Sequence, residues 1–428
     1  MNHSGIKKVA FHTLGCKLNF TETSEMTRML DKSRYEIVSF NEVADIYVIN
    51  TCTVTSNADR KSNFSINKAV SLNPDAKIIV TGCYSQLNSI KLQENKHVDI
   101  IIGNSQKSEI LNYIESNQEN QLIACEEDNT KSFFSSYSMG ERTRAFVKIQ
   151  DGCDYHCSYC TVPLARGKSR NIAIHEVENI VKTIAENGVK EIVLSGINLG
   201  DYGKSSGESF LQLLKSLDNK EDILRFRISS IEPNLLTNEI IEFVAGSKRF
   251  VPHFHIPLQS GSDKILELMK RRYSTKLFAD LINKIKELLP DAGIGADVIT
   301  GFPGETDEDF ADTFEFLNNL KLSYLHVFTF SPRPNTPAFN FNNKIPSKLK
   351  NKRSKILHEL SAELNNRFLS ENAGKLNDVL FENFNDKGNI HGYTGNYIRV
   401  THIYNKNLLN KVINGELYLS GNQAKIKI

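Results

Sequence analysis

Residues 145–160, AFVKIQDGCDYHCSYC, place a short apolar run directly before three closely spaced cysteines. The run Ala145–Ile149 predicts a buried strand, because nearly all of its side chains are apolar and a glycine follows shortly after it. Three residues separate Cys153 from Cys157, and two separate Cys157 from Cys160. The stretch therefore predicts a metal-binding loop at the carboxyl end of a strand.

The spacing of these cysteines favours an iron–sulfur cluster over a single zinc ion. A structural zinc site takes a fourth protein ligand, and the neighbouring candidate, His156, is too close to Cys157 in the chain to reach the same ion without strain. Three thiolates in one loop suit a [4Fe-4S] cluster that leaves one iron without a protein ligand. Such an iron can bind the amino and carboxylate groups of S-adenosylmethionine and pass one electron to its sulfonium.

Strand-like and helix-like runs alternate from Arg144 to Pro332, which predicts a partial (β/α)6 barrel. Functional residues of such barrels lie at the C-terminal ends of the strands. Polar loops follow four of the predicted strands, at residues 195–198, 229–232, 259–262 and 300–305. We therefore expect these loops to form a binding site together with the cysteine loop.

Residues 7–115 also alternate between strands and helices, which predicts an open parallel α/β sheet. Cys16, Cys52 and Cys83 each follow a predicted strand closely. Ligands of open parallel sheets bind outside the carboxyl ends of the strands, so we expect these three cysteines to converge on one edge. The alternative is that they are three buried structural cysteines, since free cysteine is often buried.

The pattern divides the chain into an N-terminal α/β domain (1–120), a linker without periodicity (121–140), a central barrel domain (141–371) and a C-terminal domain (372–428). Residues 346–370 predict a long basic amphipathic helix. Short strands with Gly and Asn turns then predict a small all-β barrel. Cys125 lies in the linker, and we expect it to be incidental.

The composition indicates a location for the protein and a role for its cysteines. The chain has 428 residues, 24% of them charged, a net charge of +2 and seven cysteines. We expect a cytosolic location, because neither a leader pattern nor a membrane-spanning stretch is present, and in a reducing compartment cysteines serve metals or catalysis. The segment 344–355 holds six cations and no acid, which indicates either a solvated helix face or a nucleic-acid contact.

The cysteine spacing after the first barrel strand is the signature of the radical S-adenosylmethionine superfamily, and the wider pattern resembles its methylthiotransferase family. The C-terminal segment GYTGNY (392–397) is similar to the TRAM domain, an RNA-binding appendage. The resemblance covers nearly the whole chain. Five motifs in order carry it: TLGCKLN (13–19), NTCTVT (50–55), TGCYSQ (81–86), HIPLQSGSD (255–263) and DVITGFPGE (297–305).

Further motifs resemble the branch of that family that modifies threonylcarbamoyladenosine beside the anticodon of tRNA. They are GCKLN (15–19), CTVT (52–55), ADRK (58–61), PLARG (163–167) and MKRRY (269–273). Two other branches act on isopentenyladenosine in tRNA and on an aspartate of a ribosomal protein, and they remain alternatives. A non-enzymatic iron–sulfur electron carrier or sensor with an RNA-binding tail is a third.

The resemblance implies two [4Fe-4S] clusters and S-adenosylmethionine as cofactors. A catalytic cluster on Cys153, Cys157 and Cys160 would cleave S-adenosylmethionine to a 5′-deoxyadenosyl radical, and an auxiliary cluster on Cys16, Cys52 and Cys83 would present sulfur for methylation and transfer. Replacing an aromatic C–H bond at carbon 2 of adenine requires such cofactors, because there is neither an acidic proton nor a leaving group. The implied S-adenosylmethionine contacts are the backbone of Tyr159 and residues Gly196, Asn198, Ser229, Glu232, Gln259, Ser260, Ile299 and Gly301.

The implied partners are the anticodon stem-loop of tRNA and a one-electron reductant of the flavodoxin or ferredoxin type, with no membrane involved. RNA would be held by sequence-independent contacts to phosphates, with an unstacked loop base providing specificity. The expected RNA contacts are Arg166, Lys168, Arg170, Arg271, Arg272, Lys350, Arg353 and Arg399.

Overall fold

An open, six-stranded parallel sheet forms the N-terminal part of the computed structural model, which describes residues 5–116, 122–125, 133–140 and 142–428. The strand order is β2-β1-β3-β4-β5-β6. The strands are β1 (Lys7–Thr13), β2 (Tyr35–Val38), β3 (Ile46–Thr51), β4 (Lys77–Gly82), β5 (Ile100–Ile102) and β6 (Leu122–Ala124). The helices are α1 (Lys17–Arg28), α2 (Ser56–Leu72), α3 (Cys83–Gln93) and α4 (Ile110–Glu115).

The central strands of this sheet are apolar on both faces, because helices cover both faces of the sheet. Every residue of β3 is buried. The helices pack through apolar stripes, as in α2, where Ile66 and Ala69 lie in the core. The predicted α/β sheet is confirmed, and Cys16, Cys52 and Cys83 follow β1, β3 and β4.

The sequence analysis missed two strands of the N-terminal sheet, β2 and β6. β2 contains only four residues, two of which are exposed, so its hydrophobic pattern is weak. β6 lies inside the segment 121–140 that was expected to be an unstructured linker, and it pairs with β5 through Ile100–Leu122 and Ile101–Ile123. β7 (Ser136–Tyr137) also lies in that segment. Residues 121, 126–132 and 141 lie outside the described part of the chain.

The central part contains six parallel strands in chain order, each followed by helical chain, as predicted for a partial barrel. These six strands lie in two sheets, β7-β8-β11-β12, in which the additional strand β7 is antiparallel, and β13-β14-β15. Isolated parallel bridges connect the two sheets at Phe226–Phe250 and Ser230–His255. The strands after β7 are β8 (Ala145–Lys148), β9 (Gln150–Asp151), β10 (Arg170–Asn171), β11 (Glu191–Ser195), β12 (Arg225–Ile228), β13 (His253–His255), β14 (Gly293–Thr300) and β15 (Tyr324–Thr329), of which β9 and β10 form a separate antiparallel pair.

The helices of this part pack their apolar faces against the strands. In α6, Val177, Val181 and Ile184 are buried at the spacing of one helix face. α11 begins at a capping box formed by Thr306 and Asp309, which satisfies backbone donors of its first turn. The helices are α5 (Val162–Arg166), α6 (Ile174–Glu186), α7 (Phe210–Asp218), α8 (Asn238–Gly246), α9 (Asp263–Leu268), α10 (Thr275–Leu288), α11 (Asp307–Asn319) and α12 (Ser347–Asn372).

A closed five-stranded barrel forms the C-terminal part, in the order β16-β17-β18-β20-β19. The long helix α12 joins it to the central part, because Leu357, Leu360 and Leu364 lie in the central core while Phe368 and Leu369 lie in the core of the small barrel. The strands are β16 (Leu376–Asp386), β17 (Asn389–Thr394), β18 (Arg399–Ile403), β19 (Val412–Ser420) and β20 (Gln423–Lys427). No helix in the described ranges has the length and apolarity that crossing a bilayer demands.

A buried ion network joins the N-terminal sheet to the central barrel. Glu22 of α1 accepts from Arg166 at 2.9 Å, from Lys148 at 2.9 Å and from Lys107 at 2.5 Å. Asp151 accepts from the same guanidinium at 2.9 Å and from Lys148 at 3.2 Å. All five side chains are at most 3% exposed. We call these five residues the interdomain ion network.

Loss of Arg166 should destabilise the protein strongly. Arg166→Met leaves Glu22 and Asp151 buried without one of their two shared partners, so we expect the free energy of unfolding to fall by about 3–5 kcal/mol. Denaturant unfolding followed by circular dichroism measures the change. The matched control is Arg367→Met, whose half-exposed side chain pairs with Glu363 at 3.7 Å and donates to Asn318 Oδ1 at 2.8 Å, and whose loss should cost less than about 1 kcal/mol. Equal losses for the two variants would contradict the role of the network.

Candidate functional site

A cavity of about 800 Å³ lies at the carboxyl ends of the barrel strands. All three parts of the chain contribute to its wall: Cys16 and Lys17 from the N-terminal sheet, the cysteine loop 153–160, and Tyr397 from the C-terminal barrel. Loops after β11, β12, β13 and β15, together with residues of β14, complete the wall. The structure therefore brings residues that are far apart in sequence to one cavity.

Hydrogen-bond donors surround the sulfurs of the cysteine loop. The N–H of Tyr155 donates to Cys153 Sγ at 3.4 Å, and the N–H of Val162 donates to Cys160 Sγ at 3.5 Å. The guanidinium of Arg271 donates to Cys157 Sγ at 3.0 Å. Donors of this kind stabilise negative charge on sulfur, which is the charge that thiolate ligands of a cluster carry.

The three thiols of this loop are protonated when no metal is bound. Burial raises the pKa of Cys153 to about 11 and that of Cys160 to about 12, and burial also raises the pKa of Cys157. Deprotonation in such surroundings requires a bound cation, because metal ligation couples to the release of the thiol proton. The loop is therefore better suited to holding a metal centre than to providing a free nucleophile.

The N-terminal cysteines converge where β1, β3 and β4 end. Gly15 has a φ of +100°, and a Cβ there would lie 2.8 Å from Cys52 Sγ, so a side chain at Gly15 would collide with the sulfur. Asn104 Nδ2 lies 3.8 Å from Cys83 Sγ. Burial, together with the charges of Cys83 and Cys16 when ionised, raises the pKa of Cys52 to about 11. Cys16, Cys52 and Cys83 thus form a second triplet at the carboxyl ends of these strands, and its ligation of a cluster stays a prediction.

The sulfurs of each triplet lie farther apart than thiolates bound to a single tetrahedral ion do. Thiolates on one zinc lie about 3.8 Å apart, since each Zn–S bond is about 2.3 Å long. In the described ranges, the only group of three metal-binding side chains whose ligand atoms all lie within 4.8 Å of one another is His255, Asp297 and His326. Neither cysteine triplet is that compact, and a [4Fe-4S] cluster, whose ligands bind separate iron atoms, fits the wider spacing.

Buried positive charge next to the N-terminal triplet matches an anionic cluster. The interdomain ion network contains three cations and two carboxylates, so it leaves one positive charge uncompensated. Burial alone would lower the pKa of Arg166, but Asp151 and Glu22, and to a smaller extent Cys83 and Cys16 when ionised, hold it well above its usual value. A cluster ligated by three thiolates supplies negative charge at this point, which reduces the cost of burying the excess cation.

Most residues expected to bind S-adenosylmethionine line the cavity. They are Tyr159, Gly196, Asn198, Ser229, Glu232, Gln259 and Ile299. The Oδ1 of Asn198 is buried and has no hydrogen-bond partner in the described chain, which leaves it available to a ligand. Gln259 adopts a φ of 71°, a strained conformation of the kind that clusters at binding sites.

Two residues of that expected set do not line the cavity. Ser260 is buried, and its hydroxyl lies 3.4 Å from that of Thr313. This contact packs the loop against α11. Gly301 lies under the side chain of Lys350, where a Cβ would come within 2.1 Å of it. A polar or glycine residue at a strand end can also serve loop packing, and contact of these two residues with S-adenosylmethionine stays a prediction.

The expected RNA contacts separate into exposed and buried cations. Lys168, Arg272 and Arg399 are exposed, whereas Lys350 and Arg170 are half-buried and bonded to backbone carbonyls. The predictions for Arg166, Arg271 and Arg353 are corrected: Arg166 belongs to the interdomain ion network, Arg271 pairs with Glu232 inside the cavity, and Arg353 pairs with Glu305 at 2.6 Å. Buried guanidiniums with carboxylate partners are not available to phosphates.

Two polar groups of the cavity wall were missed from the sequence. His255, Asp297 and His326 lie 3.2–3.3 Å from one another on the neighbouring strands β13, β14 and β15. Lys17 faces the cavity beside Cys16, and burial and the charges of Arg144 and Arg227 lower its pKa to about 8. The position of His255 at the end of β13 was the one sequence signal for the first group. Lys17 carried no signal beyond its place next to a cysteine.

Cys125 lies apart from both triplets. Its sulfur contacts the carbonyl of Ser85 at 3.6 Å, it packs against the N-terminal core, and burial raises its pKa to about 12.

Comparison with known proteins gives matches to two family models. The model described as "Radical SAM superfamily" matches residues 147–317, and the model described as "Uncharacterized protein family UPF0004" matches residues 8–103. Among solved structures, a radical S-adenosylmethionine methyltransferase, TsrM, from Kitasatospora setae is similar with a TM-score of 0.58 and 13% identity, and the match covers 78% of this chain and 75% of that one. This similarity concerns the fold alone.

Curated relatives are similar over nearly their whole lengths. The "Threonylcarbamoyladenosine tRNA methylthiotransferase MtaB" of Aquifex aeolicus is 40% identical over 86% of this chain and 91% of its own. The protein with the same name from Bacillus subtilis is 38% identical over 96% and 94%. A "tRNA-2-methylthio-N(6)-dimethylallyladenosine synthase" of Clostridium botulinum is 33% identical over 94% and 92%. The chain therefore belongs to the radical S-adenosylmethionine methylthiotransferase family, in its MtaB-type branch.

Proposed function

We propose that the chain is a tRNA methylthiotransferase that places a methylthio group on carbon 2 of N6-threonylcarbamoyladenosine, beside the anticodon. The observation that carries this proposal is the convergence of both cysteine triplets on one region: Cys16 and the loop 153–160 line the same cavity. An aromatic C–H bond offers no acidic proton and no leaving group, so side chains alone cannot replace it. The relatives named for this modification support the choice of base.

Three segments divide the work in this proposal. Residues 1–120, extended by β6, hold one [4Fe-4S] cluster on Cys16, Cys52 and Cys83. Residues 141–371 hold the other on the cysteine loop 153–160, together with S-adenosylmethionine. Residues 372–428 form a TRAM-like barrel that contacts RNA. When bound, the two clusters and S-adenosylmethionine supply the radical that removes the hydrogen and the sulfur and methyl group that replace it.

The side chains of the cavity position the cofactor and exclude water. Asn198 Oδ1, buried and unpartnered within the described chain, accepts a hydrogen bond from the amino group of S-adenosylmethionine. Glu232 holds Arg271 against Cys157 Sγ, so that this guanidinium stabilises charge on the cluster ligand. Arg271 therefore acts in the cavity rather than on RNA.

The partners follow from this chemistry. The substrate is the anticodon stem-loop of tRNA, and Lys168, Arg272 and Arg399 are the exposed cations that contact its phosphates. Reductive cleavage of a sulfonium needs a low-potential electron, so a flavodoxin or ferredoxin type of protein supplies it. Because tRNA is the substrate, we place the enzyme in the cytoplasm.

Loss of the protein should remove one modified nucleoside and spare another. In tRNA from cells that lack this protein, mass spectrometry of nucleosides should show threonylcarbamoyladenosine without its methylthio group. The methylthio mark on isopentenyladenosine in the same sample should be unchanged, which makes it the internal control. Loss of the isopentenyladenosine mark, or persistence of both marks, would contradict the proposed substrate.

Removal of either cysteine triplet should halve the iron content. A [4Fe-4S] cluster carries four irons, so anaerobically reconstituted protein should hold about eight per chain and each triple cysteine-to-alanine variant about four. Iron analysis normalised to protein measures this, and the variant Cys125→Ala, outside both triplets, is the control and should keep the full content. Unchanged iron in the variant that lacks Cys16, Cys52 and Cys83 would contradict the second cluster.

Affinity for tRNA should fall with ionic strength. Three phosphate contacts predict a slope of about −2 in a plot of log affinity against log salt, since each contact contributes about −0.7 for single strands. Charge removal at Lys168, Arg272 and Arg399 together should bring the slope near zero. The matched control, Lys276→Gln, removes an exposed cation of α10 and should leave the slope unchanged. A slope that the triple variant does not alter would contradict this placement of the RNA.

A further inference from the structure

Lys17 is a cation of the cavity that no carboxylate of the described residues pairs with. It follows Cys16 directly, and its side chain lines the cavity. In the part of the chain that the structure describes, no carboxylate lies within ion-pair distance, 4.0 Å, of its ammonium group. Positive charges of Arg144 and Arg227 lie close enough to act on it, and Asp297 is the carboxylate that opposes them.

The other cations of the cavity are engaged by protein groups. Arg227 binds Glu191 at 2.9 Å and the carbonyl of Gly395 at 2.8 Å. Arg144 pairs with Glu382 at 3.3 Å and stacks on an aromatic ring of the C-terminal barrel. These contacts fix both guanidiniums in place. The two arginines therefore add positive potential around Lys17, and its ammonium group remains available to an anionic ligand.

Arg142 and Arg271 are engaged as well. The guanidinium of Arg142 lies 4.5 Å from the centroid of the Phe20 ring, and Arg271 pairs with Glu232. Asp297, which also lines the cavity, pairs with His255 at 3.2 Å and His326 at 3.3 Å. An anion that enters this cavity is repelled by Asp297 and attracted to Lys17.

The proposed substrate carries such an anion. Threonylcarbamoyladenosine has a carboxylate on its N6 substituent, whereas isopentenyladenosine has a neutral, apolar chain at the same position. Carbon 2 and the N6 substituent flank N1 on one edge of the adenine ring. A base that presents carbon 2 toward the triplet of Cys16 therefore brings its N6 substituent to the neighbouring part of the wall, where Lys17 lies.

We propose that Lys17 binds the carboxylate of the threonylcarbamoyl group and thereby selects this nucleoside over its isopentenyl counterpart. The inference rests on the proposed function, since it assigns a specificity residue to that substrate. An ammonium held near two other cations is stabilised by an incoming carboxylate. The same ammonium penalises an apolar chain, which would separate it from water without compensating its charge.

Binding of synthetic anticodon stem-loops to the full-length protein tests this without turnover. The three RNAs share one sequence and carry at the modified position threonylcarbamoyladenosine, its methyl ester, or unmodified adenosine. For Lys17→Gln we expect affinity for the carboxylate-bearing RNA to fall about tenfold or more at fixed salt, as for loss of a charged hydrogen bond. Affinity for the other two RNAs should change less than about twofold.

Control variants separate this role from damage to the neighbouring cluster. Lys17→Arg keeps the charge and should retain most of the preference for the carboxylate. Lys276→Gln removes an exposed cation outside the cavity and should leave all three affinities as they are. Iron content of Lys17→Gln equal to that of the unaltered protein, with the selective loss of affinity, supports the proposal.

Three outcomes would overturn it. An equal loss for all three RNAs would mean that Lys17 pairs with the cluster or with phosphate. No loss in Lys17→Gln, while the unaltered protein still prefers the carboxylate, would place the recognition elsewhere and leave the proposed function standing. If the unaltered protein bound none of the RNAs, the proposed function itself would fail.

Discussion

The interdomain ion network is the constraint on which the site depends. Glu22 lies one and a half helical turns after Cys16, and Asp151 and Arg166 flank the cysteine loop 153–160. Ion pairs between these residues therefore fix the N-terminal triplet relative to the barrel triplet. Burying two carboxylates and three cations costs desolvation energy, and their arrangement determines geometry more than net stability.

Charge connects this network to the cavity. Arg166, Lys107 and Lys148 hold the pKa of Glu22 well below its usual range, although burial alone would raise it. The carboxylate is therefore ionised at physiological pH, and the network remains paired. Its surplus cation lies beside Cys83 and Cys16, where an anionic cluster completes the charge balance. Cys16 of the N-terminal triplet is followed directly by Lys17. The triplet and the site proposed for the substrate carboxylate therefore lie in the same electropositive part of the cavity.

The C-terminal barrel closes the remaining side of the cavity. Arg225 donates to the carbonyl of Tyr393 at 2.9 Å, and Arg227 donates to that of Gly395 at 2.8 Å. Gly293 allows the closest approach, since a Cβ there would come within 2.0 Å of the carbonyl oxygen of Asn396. Tyr397 is thereby placed in the cavity wall, and the C-terminal barrel contributes directly to the site.

The sequence predicted the parts of this structure that depend on local pattern. Strand–helix alternation gave the two α/β parts, and cysteines at strand ends gave both triplets, because parallel strands share one carboxyl edge. The sequence did not show which charged residues pair with one another in the fold. Arg166 and Arg353 resembled surface cations, since the carboxylates that bury them lie 144 and 48 residues away. β6 was missed because three residues between polar segments carry too little periodicity. Lys17 was missed because only the folded cavity shows that its ammonium group has no carboxylate partner among the described residues.

Mössbauer spectroscopy of the anaerobically prepared, iron-57-labelled protein can count the clusters and show which of them has an open iron. We expect two [4Fe-4S] clusters, and we expect S-adenosylmethionine to change the signal of a single iron site, about one iron in eight, because only the barrel cluster offers its open iron to that ligand. Removal of the N-terminal triplet should eliminate the unresponsive cluster and leave the responsive one. A single cluster in the unaltered protein, or two clusters in which no iron responds to S-adenosylmethionine, would refute this assignment of the two triplets.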